Sequence, residues 1–585
     1  MGDLKLIKKR WRDHLRGGSD GPNDFSIGLA GSFTLDPVIP YLGGQLLGLG
    51  FDRPEVRNAG YNQIIQTCLS PNSGFGDQPL DLIALIWRLE DLADIQNIDS
   101  VIAAIELLEE ALERLCSEFN GAIILSLPPR PSVQHSVIVK FSQPRDDLKA
   151  WHHACMLLME KFADRSRVHF VDLEDIVSGL GNAAHDSRKY FLYRQPYTED
   201  VYGALGESIA RIVRARKHEP KKCLVLDCDN TLWGGIVGED GVGGVQIGDD
   251  YPGSVFKTVQ RQVRELKESG VFIAVSSKNN EEDAFAVFER RPEMVLRKED
   301  IIVSKIDWRP KSENMKEIAV ELNIGLDALV FVDDNPFEIE EVKANAPGVE
   351  CIQVPEELAD YPAAMVAAGK LFDRLVITDD DRKRVVRMRS EKDRKDVAQK
   401  LTPEEFLAQL ELRVYVYQPE AEDLARVAQL INKTNQFNVL TRRHTLEEVT
   451  EFVQNEKNLL FCMAVADKFG EYGLVGVVML SDNGEEWRIE NFLMSCRVLG
   501  RGVETTLFAH IGDFLSSLGA SHLRGGYAST PKNKLVADLY ERHGFVRSSD
   551  STYEQTGVEE WISPLPGKSR IPDYVELHSS RPQLT

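Results

Sequence analysis

Two aspartates stand two positions apart where a strongly apolar run ends, in the segment LVLDCDNTLWGG (224–235). Residues i and i+2 of a β-strand point to the same side, so Asp227 and Asp229 should face together into the crevice at the carboxyl end of a strand. There, one carboxylate can attack phosphorus as a nucleophile while the other handles the proton of the leaving group. The pair therefore predicts phosphoryl-transfer chemistry.

Two carboxylates and a phosphate need positive charge in the same pocket. Lys311, in DWRPKSEN, is the candidate fixed cation. Mg²⁺ prefers hard oxygen ligands, which Asp227, the backbone carbonyl of Asp229 and the Asp333–Asp334 pair can offer. We therefore expect a Mg²⁺ site formed by these four aspartates.

Phosphate oxygens also need hydrogen-bond donors. Ser277 ends the apolar run VFIAVSS and offers a hydroxyl together with the start of the next helix. Ser276 should face the other side of the strand, although the sequence leaves open which of the two serines points into the site. Thr231 and Asn279 complete the expected phosphate-binding set. The alternative interpretation is that the acidic pairs are surface turns and that Lys311 is a solvated side chain.

These motifs follow one another at the ends of successive strand-like runs. In this order they resemble the haloacid dehalogenase (HAD) superfamily. The resemblance implies that Asp227 is the nucleophile, Asp229 the general acid/base, and Asp333 the principal metal ligand, assisted by Asp334. Residues 233–253 are glycine-rich and have room for a hairpin flap but not for a cap domain, so the site should be open to large substrates.

Longer stretches narrow the resemblance to the FkbH-like branch of this superfamily. They are CDNTLWGGIVGEDG, VSSKNN, WRPKSENMKEIA and FVDDNPFE, and further similarity in KTNQFNVLTRR, FGEYGLVGVV, SCRVLGRGVE and GSFTLDPVIPYL covers most of the chain. The resemblance implies a glyceryl transferase/phosphatase of polyketide assembly. Such an enzyme takes the three-carbon acyl group of 1,3-bisphosphoglycerate, removes both phosphates and loads a thioester on an acyl carrier protein.

The sequence departs from that branch in two places. Ser276 stands where many relatives have cysteine, and FEIEEV follows VDDNP where an arginine is common. Because of these differences, the resemblance leaves open which thiol would hold a covalent intermediate and which residues would make some of the substrate contacts.

Residues 409–565 are expected to form an acyltransferase domain of the GNAT type. RVLGRG (497–502) matches the (Q/R)xxGx(G/A) loop, in which backbone N–H groups at the start of a helix face a phosphate. Arg497, Gly500 and Gly502 are its candidate binding residues, and the expected ligand is a phosphopantetheine arm. The alternative is a retained fold without a ligand.

Two cysteines are candidates for holding an acyl group. Cys496 lies directly before the 497–502 loop, where a helix N-terminus and nearby arginines would lower its pKa. Cys228 lies between the two aspartates, but strand alternation turns it away from them and favours a packed core thiol.

The N-terminal part resembles an SGNH-hydrolase-type doubly wound fold. Ser32 follows its first strand-like run, but no asparagine or histidine stands at the expected positions, so we predict a packing or N-cap role and a scaffold domain. The expected divisions are 1–216 SGNH-like, 217–365 HAD-like, 366–408 charged helical linker, 409–565 GNAT-like and 566–585 loose tail. The basic helix within the linker is either a docking patch for an acidic carrier or a solvated face.

Composition bounds the class of protein. A chain of 585 residues with 43% hydrophobic and 28% charged residues fits a multidomain α/β protein. The net charge of −23 argues against non-specific nucleic-acid binding. Eight cysteines without CxxC pairs predict reduced thiols, and the lack of an apolar span or signal sequence predicts a cytoplasmic protein. Two other functions stay open: a stand-alone phosphatase with an inactive GNAT-like domain, and a binding module without chemistry.

Overall fold

The structure is a computed structural model. It describes residues 4–17, 23–71, 74–76, 78–95, 97–131, 146–377, 379–382, 384–398, 400–434, 436–484, 486–548 and 557–582. The chain divides into two compact units, which we call unit 1 (Met1–Thr378) and unit 2 (Asp379–Thr585). Among the described residues, every helix is too short or too polar to cross a membrane.

The first sheet of unit 1 is entirely parallel, in the order β2-β1-β3-β4-β5. Its strands are β1 (Phe25–Gly31), β2 (Pro54–Tyr61), β3 (Leu82–Ile86), β4 (Ala122–Leu127) and β5 (Val168–Asp172). The helices between and around them are α1 (Leu4–Gly17), α2 (Ile39–Gly48), α3 (Ile64–Leu69), α4 (Leu89–Leu92), α5 (Ile98–Glu118), α6 (Asp146–Phe162), α7 (Leu173–Leu180), α8 (Ser187–Tyr193) and α9 (Glu199–Lys217). All residues of β1 and β3 are buried, because two hydrophobic clusters cover the two faces of the sheet.

The second sheet of unit 1 is also parallel, in the order β10-β9-β6-β7-β8. Its strands are β6 (Cys223–Leu226), β7 (Phe272–Ser277), β8 (Val303–Ile306), β9 (Leu329–Asp333) and β10 (Glu350–Gln353). Its helices are α10 (Val237–Gly244), α11 (Gly253–Glu268), α12 (Glu281–Arg290), α13 (Lys311–Leu322), α14 (Pro336–Asn345) and α15 (Tyr361–Gly369). The central strand is β6, so the residues that follow it lie between the ends of β7 and β9.

The two parallel sheets belong to one compact unit because side chains join them. Arg211 of α9 donates two hydrogen bonds to Asp373, at 2.7 and 2.9 Å. Lys370 forms an ion pair with Glu207 at 2.6 Å. The expected boundary at residue 216 therefore marks a change of sheet rather than a gap between separate bodies.

Unit 2 holds one mixed sheet of eight strands, in the order β16-β17-β15-β14-β13-β12-β11-β18. Its strands are β11 (Leu412–Tyr417), β12 (Asn458–Asp467), β13 (Gly470–Asp482), β14 (Glu486–Met494), β15 (His522–Ala528), β16 (Val546–Arg547), β17 (Val558–Pro564) and β18 (Val575–His578). Its helices are α16 (Asp379–Arg382), α17 (Arg384–Ala398), α18 (Pro403–Gln409), α19 (Leu424–Lys433), α20 (Leu446–Gln454), α21 (Val503–Ser517) and α22 (Leu539–Arg542).

The prediction that residues 566–585 form a loose tail is wrong for the central part of that segment. Residues Val575–His578 form β18, which pairs in parallel with β11 from Leu412 to Tyr415. The tail therefore extends the sheet by an edge strand, and its backbone groups are satisfied by a partner more than 150 residues earlier in the chain.

The charged segment is also more than a linker. Arg394 of α17 is 3% exposed and donates two hydrogen bonds to the fully buried carboxylate of Asp467, at 2.7 and 2.9 Å. This residue of the basic helix therefore anchors α17 to the sheet of unit 2 and does not belong to an exposed docking patch.

Candidate active site

The carboxyl ends of three neighbouring strands bring the predicted acidic and hydroxyl groups together. Asp227 directly follows β6, Ser277 ends β7 and Asp333 ends β9. The backbone N–H of Asp227 donates to the carbonyl of Val332 at 3.0 Å, which places β6 and β9 side by side up to their ends. Lys311 is the first residue of α13 and reaches the same edge.

Lys311 lies between two of the predicted acidic residues. Its Nζ is 2.8 Å from Asp227 Oδ1 and 2.5 Å from Asp333 Oδ2, and all three side chains are at least nine-tenths buried. Burial alone would lower the pKa of Lys311, but the charges of Asp227 and Asp333 outweigh it and raise that pKa. The lysine is therefore a buried cation paired with two carboxylates, and its burial excludes the interpretation of Lys311 as a solvated side chain.

Asp227, Asp333 and Asp334 form a cluster in which one carboxylate oxygen from each lies within 4.8 Å of the others. Burial raises the pKa of Asp333 to about 7; Lys311 opposes this shift and the charge of Asp227 adds to it. Burial, followed by the charge of Asp227, also raises the pKa of Asp334. One lysine does not balance three carboxylates, so the donor set fits a hard divalent cation bound through oxygen.

The carboxylate of Asp229 is held outside that cluster. Its Oδ1 accepts hydrogen bonds from Trp233 Nε1 at 2.9 Å and from the backbone N–H of Val237 at 3.1 Å. Its Oδ2 accepts one from Asn279 Nδ2 at 3.0 Å. These donors fix the orientation of the acid/base candidate, and only its backbone carbonyl is left for the predicted role as a metal ligand.

Asn279 connects Asp229 to Ser277, the candidate for phosphate binding. The same amide that bonds Asp229 lies 3.1 Å from Ser277 Oγ. Ser276 instead accepts a hydrogen bond from Asn314 at 3.3 Å. The structure therefore answers the question that the sequence left open: Ser277 faces the acidic pair and Ser276 faces the other side of β7.

Thr231 lies in the turn after Asp229, and its role in phosphate binding stays a prediction. It is fully buried, and its Oγ1 has no hydrogen-bond partner among the described residues. An unpaired hydroxyl of this kind is costly in a protein interior, so a site next to the acidic turn that receives phosphate oxygens would satisfy it.

The segment after Asp229 forms a small flap. It contains α10 and an isolated bridge between Gly234 and Gln246, and no separate cap domain exists in this described stretch. Arg291 donates hydrogen bonds to the carbonyls of Val242 at 3.1 Å and Val245 at 2.9 Å, which pins the flap to α12. The prediction of a flap too small for a cap domain is confirmed, but the flap is a short helix with a single bridge at its base rather than a hairpin.

The two cysteine candidates differ in outcome. Cys228 is fully buried in the hydrophobic cluster around β6, and burial raises its pKa far above the usual range for a thiol. It is therefore a core thiol, as predicted, although β6 ends at Leu226 and strand alternation is not what buries it. Cys496 opens the 3-10 turn Cys496–Val498, but its side chain lies outside the described residues, so its role stays a prediction.

The glycine loop of unit 2 has the predicted local form. Gly500 and Gly502 have φ values of 71° and 74°, and Gly502 is the N-cap of α21. A Cβ on Gly502 would lie 2.8 Å from Tyr574 Oη, so the C-terminal segment packs directly on the loop. Arg497 donates from Nε to its near neighbour Ser495 at 3.0 Å.

A second part of the chain also occupies the region beside β14. This strand pairs with β15 only from Glu486 to Ile489. Beyond that point its backbone bonds the segment Phe437–Val439: the N–H of Val439 donates to Phe492 at 3.1 Å, and the N–H of Met494 donates to Phe437 at 3.0 Å. The chain itself therefore satisfies the edge of β14 where it leaves β15.

Ser32 is buried, and its hydroxyl proton is already bonded to another side chain. It is fully buried, donates to Asp91 Oδ2 at 2.8 Å and accepts from the backbone N–H of Arg88 at 3.0 Å. The packing role expected for Ser32 is confirmed.

No family model and no curated protein sequence matches this chain. Among solved structures, the N-terminal part of the protein BF1531 from Bacteroides fragilis, containing a phosphatase domain complexed with Mg, matches with a TM-score of 0.57 and 28% identity. The match covers 64% of this chain and 100% of that one. About two thirds of this chain is therefore similar to a protein part that contains a phosphatase domain.

Two acetyltransferases also match, over 26% of this chain. They are the ribosomal-protein-S18-alanine N-acetyltransferase from Escherichia coli (TM-score 0.21, 16% identity, 94% of that chain) and the GNAT domain of S. lividans PAT (TM-score 0.22, 15% identity, 89% of that chain). These TM-scores are too low to assign a fold to unit 2.

Proposed function

We propose that this chain is a Mg²⁺-dependent phosphatase that also transfers a glyceryl group from 1,3-bisphosphoglycerate to an acyl carrier protein. The observation that carries the phosphatase activity is the buried cluster of Asp227, Lys311, Asp333 and Asp334 at the carboxyl edge of a parallel sheet. The similar phosphatase domain that binds Mg supports the choice of ion.

The side chains divide the phosphatase reaction between them. Asp227 attacks phosphorus, the bond to the substrate oxygen breaks, and that oxygen takes a proton from Asp229. Asp229 then takes a proton from the water that hydrolyses the aspartyl phosphate, which restores the Asp227 carboxylate and the acid form of Asp229 in which it began. Bound Mg²⁺, held by Asp227, Asp333 and Asp334, would supply charge stabilisation to the phosphoryl oxygens.

The acyl-transfer part of the proposal concerns the other phosphate. The acyl phosphate is an activated leaving group: when the thiolate of a phosphopantetheine arm attacks the carbonyl carbon, a C–S bond forms and the phosphate leaves with the electron pair of the C–O bond. The remaining phosphate is an unactivated ester, which needs the Asp227 site. The small flap and the absence of a cap in the described stretch agree with a substrate carried by another protein.

A stand-alone phosphatase is the second candidate, and the structure of unit 2 favours it on one point. Tyr574 packs on the 497–502 loop, and the segment Phe437–Val439 occupies the free edge of β14. If the phosphopantetheine arm of a carrier protein binds at the 497–502 loop or at the edge of β14, unit 2 does not bind it in this arrangement of the chain.

Intact-protein mass spectrometry separates the two candidates. Enzyme and Mg²⁺ are mixed with 1,3-bisphosphoglycerate and a phosphopantetheinylated carrier protein, beside the Asp227→Asn and Cys496→Ser variants and the exposed flap variant Glu239→Gln as a charge-matched control. We expect an unphosphorylated glyceryl adduct on the carrier with wild type and Glu239→Gln but not with Asp227→Asn. Free phosphate without an adduct would establish the stand-alone phosphatase, and loading by Cys496→Ser would exclude a relay through that thiol.

A further inference from the structure

The segment FEIEEV (337–342) lies in the first two turns of α14, directly after the metal-ligand candidates, and the proposed function leaves it without a role. Two of its carboxylates, Glu338 and Glu341, are three residues apart and therefore lie on the same face of the helix. Each of them bonds the residue that directly follows a candidate of the active site, in one case Ser277 and in the other Lys311.

Glu341 caps the helix that carries Lys311. Lys311 and Ser312 are the first two residues of α13, whose N-cap, Pro310, has no side chain that can accept a hydrogen bond. Glu341 supplies the acceptor from α14: its Oε2 accepts from the backbone N–H of Ser312 at 3.0 Å, and its Oε1 accepts from Ser312 Oγ at 2.6 Å. Backbone N–H groups at the start of a helix have no partner within the helix and favour a nearby negative charge. The carboxylate therefore fixes the start of α13, from which the Lys311 side chain enters the acidic cluster.

Glu338 makes the corresponding contact with the loop after Ser277. Its side chain is 6% exposed, and its Oε1 accepts a hydrogen bond from Lys278 Nζ at 2.6 Å. Lys278 directly follows β7, whereas Glu338 is in the first turn of the helix after β9, and β6 lies between these two strands. The ion pair therefore joins the two loops that flank Asp227, and a buried carboxylate is costly without such a partner.

These contacts make α14 a connection between three parts of the site. The helix continues from the strand end that carries Asp333, Glu341 bonds it to the start of α13, and Glu338 bonds it to the loop after β7. A metal-ligand candidate, a buried cation and a phosphate-binding candidate are thus held at fixed separations. Such separations matter for catalysis, because a displacement of about 1 Å can cost about 100-fold in rate.

We propose that Glu338 and Glu341 are positioning residues that hold Ser277 and Lys311 in place around the phosphoryl group. The inference rests on the proposed phosphatase function. Each carboxylate acts through a neighbour of the group that it positions, Lys278 or Ser312, and not by contact with the substrate.

The variant Glu341→Ala tests the contact that has two hydrogen bonds, and Glu340→Ala is its matched control. Glu340 is the preceding residue of α14, is exposed and pairs with Lys343 at 2.8 Å. The full chain with Mg²⁺ is assayed on p-nitrophenyl phosphate, and calorimetric titration measures its affinity for orthophosphate in the presence of Mg²⁺. Glu341→Ala should lower both kcat/KM and the orthophosphate affinity about tenfold, and Glu340→Ala should change neither. Glu341→Gln, which keeps an oxygen acceptor for the N–H of Ser312, should recover most of the loss.

Thermal melting in a chelator separates positioning from a general loss of stability. A purely structural role would lower the melting temperature of Glu341→Ala and leave its orthophosphate affinity unchanged below the melting transition. Adding Ser312→Ala to Glu341→Ala should cause no further loss of affinity, because the hydroxyl acts through the carboxylate. Glu338→Ala, which breaks the other contact, should give a loss similar to that of Glu341→Ala.

The outcomes distinguish the inference from the proposed function. Wild-type kcat/KM and orthophosphate affinity in Glu341→Ala or in Glu338→Ala would overturn the inference for that carboxylate while the proposed function stands. If Glu341→Ala does not fold, Ser312→Ala alone decides, since wild-type affinity in that variant would equally overturn it. If the wild type neither hydrolyses p-nitrophenyl phosphate nor binds orthophosphate with Mg²⁺, the proposed function falls and takes the inference with it.

Discussion

Asn279 donates a hydrogen bond to the carboxylate of Asp229 at 3.0 Å, and the same amide reaches Ser277 Oγ at 3.1 Å. The acid/base candidate and the phosphate-binding candidate are thus joined by one buried side chain. Both ends of this connection lie at the carboxyl edge of the sheet, so a change at Asn279 should disturb proton transfer and phosphate binding together.

Asn279→Ala should therefore lower kcat by roughly 10- to 100-fold, because Asp229 Oδ2 loses its donor and the Ser277 hydroxyl its neighbour. Steady-state phosphate release measures the effect. The control is Asn280→Ala, since Asn280 is exposed and its amide bonds Asp283 at 3.1 Å, away from Asp229. Equal activity of both variants and wild type would show that Asp229 needs no such support.

Asp334→Asn should stabilise unit 1 in the absence of divalent ions. Three carboxylates lie within 4.8 Å of one another, and removing one relieves their repulsion. We expect the melting temperature in a chelator to rise by about 2 °C or more, and the shift caused by Mg²⁺ to shrink or disappear. The exposed variant Glu340→Gln removes the same charge and should keep the Mg²⁺ response. A fall in the melting temperature of Asp334→Asn in chelator would contradict this account of the cluster.

Arg394→Met should lower the free energy of unfolding of unit 2 by about 3 kcal/mol, because Asp467 would keep a buried charge without its bidentate partner. Denaturant unfolding gives the energy, and hydrogen exchange within β12 and β13 identifies the transition of this unit. Lys392→Met, on the exposed part of the same helix, should change the energy by less than about 0.5 kcal/mol. Similar values for the two variants would mean that the Arg394–Asp467 pair contributes little.

The stability of unit 2 should decrease in mild acid because of His543. Burial lowers the pKa of this ring, packed on Phe508 with centroids 4.6 Å apart, to about 4, whereas an unfolded histidine titrates near 6.5. The free energy of unfolding is therefore highest at pH values above the pKa of the unfolded histidine. It decreases as the pH falls toward the pKa of His543 in the folded state. Between about pH 7 and about pH 5 the unfolded state gains roughly 2 kcal/mol.

Denaturant unfolding at both pH values measures this change. The variant His543→Gln should remove that part of the pH dependence, and the exposed control His522→Gln should keep it. An unchanged pH dependence in His543→Gln would assign the acid effect to other groups.

Much of the architecture of unit 1 could be read from local pattern. The apolar runs predicted for β1, β6, β7 and β9 are strands, because continuous burial on both faces of a parallel sheet requires apolar residues at each of four to seven successive positions. The tail strand β18 left no comparable signal. Val575–His578 becomes a strand only because β11, far away in the chain, offers it an edge.

The acidic site also combines features that the sequence predicted with features that only the structure showed. Residue types and their order were enough to predict Asp227, Asp229, Lys311 and the Asp333–Asp334 pair, since the convergence of parallel strand ends follows from the backbone alone. Strand alternation did not place the first two aspartates, because β6 ends at Leu226 and both follow it. Only the tertiary structure showed that Asn279 and Trp233 hold Asp229, and that Ser277 rather than Ser276 faces it. Spacing within one strand is a local property, whereas contacts between separate strands and helices depend on how the elements pack.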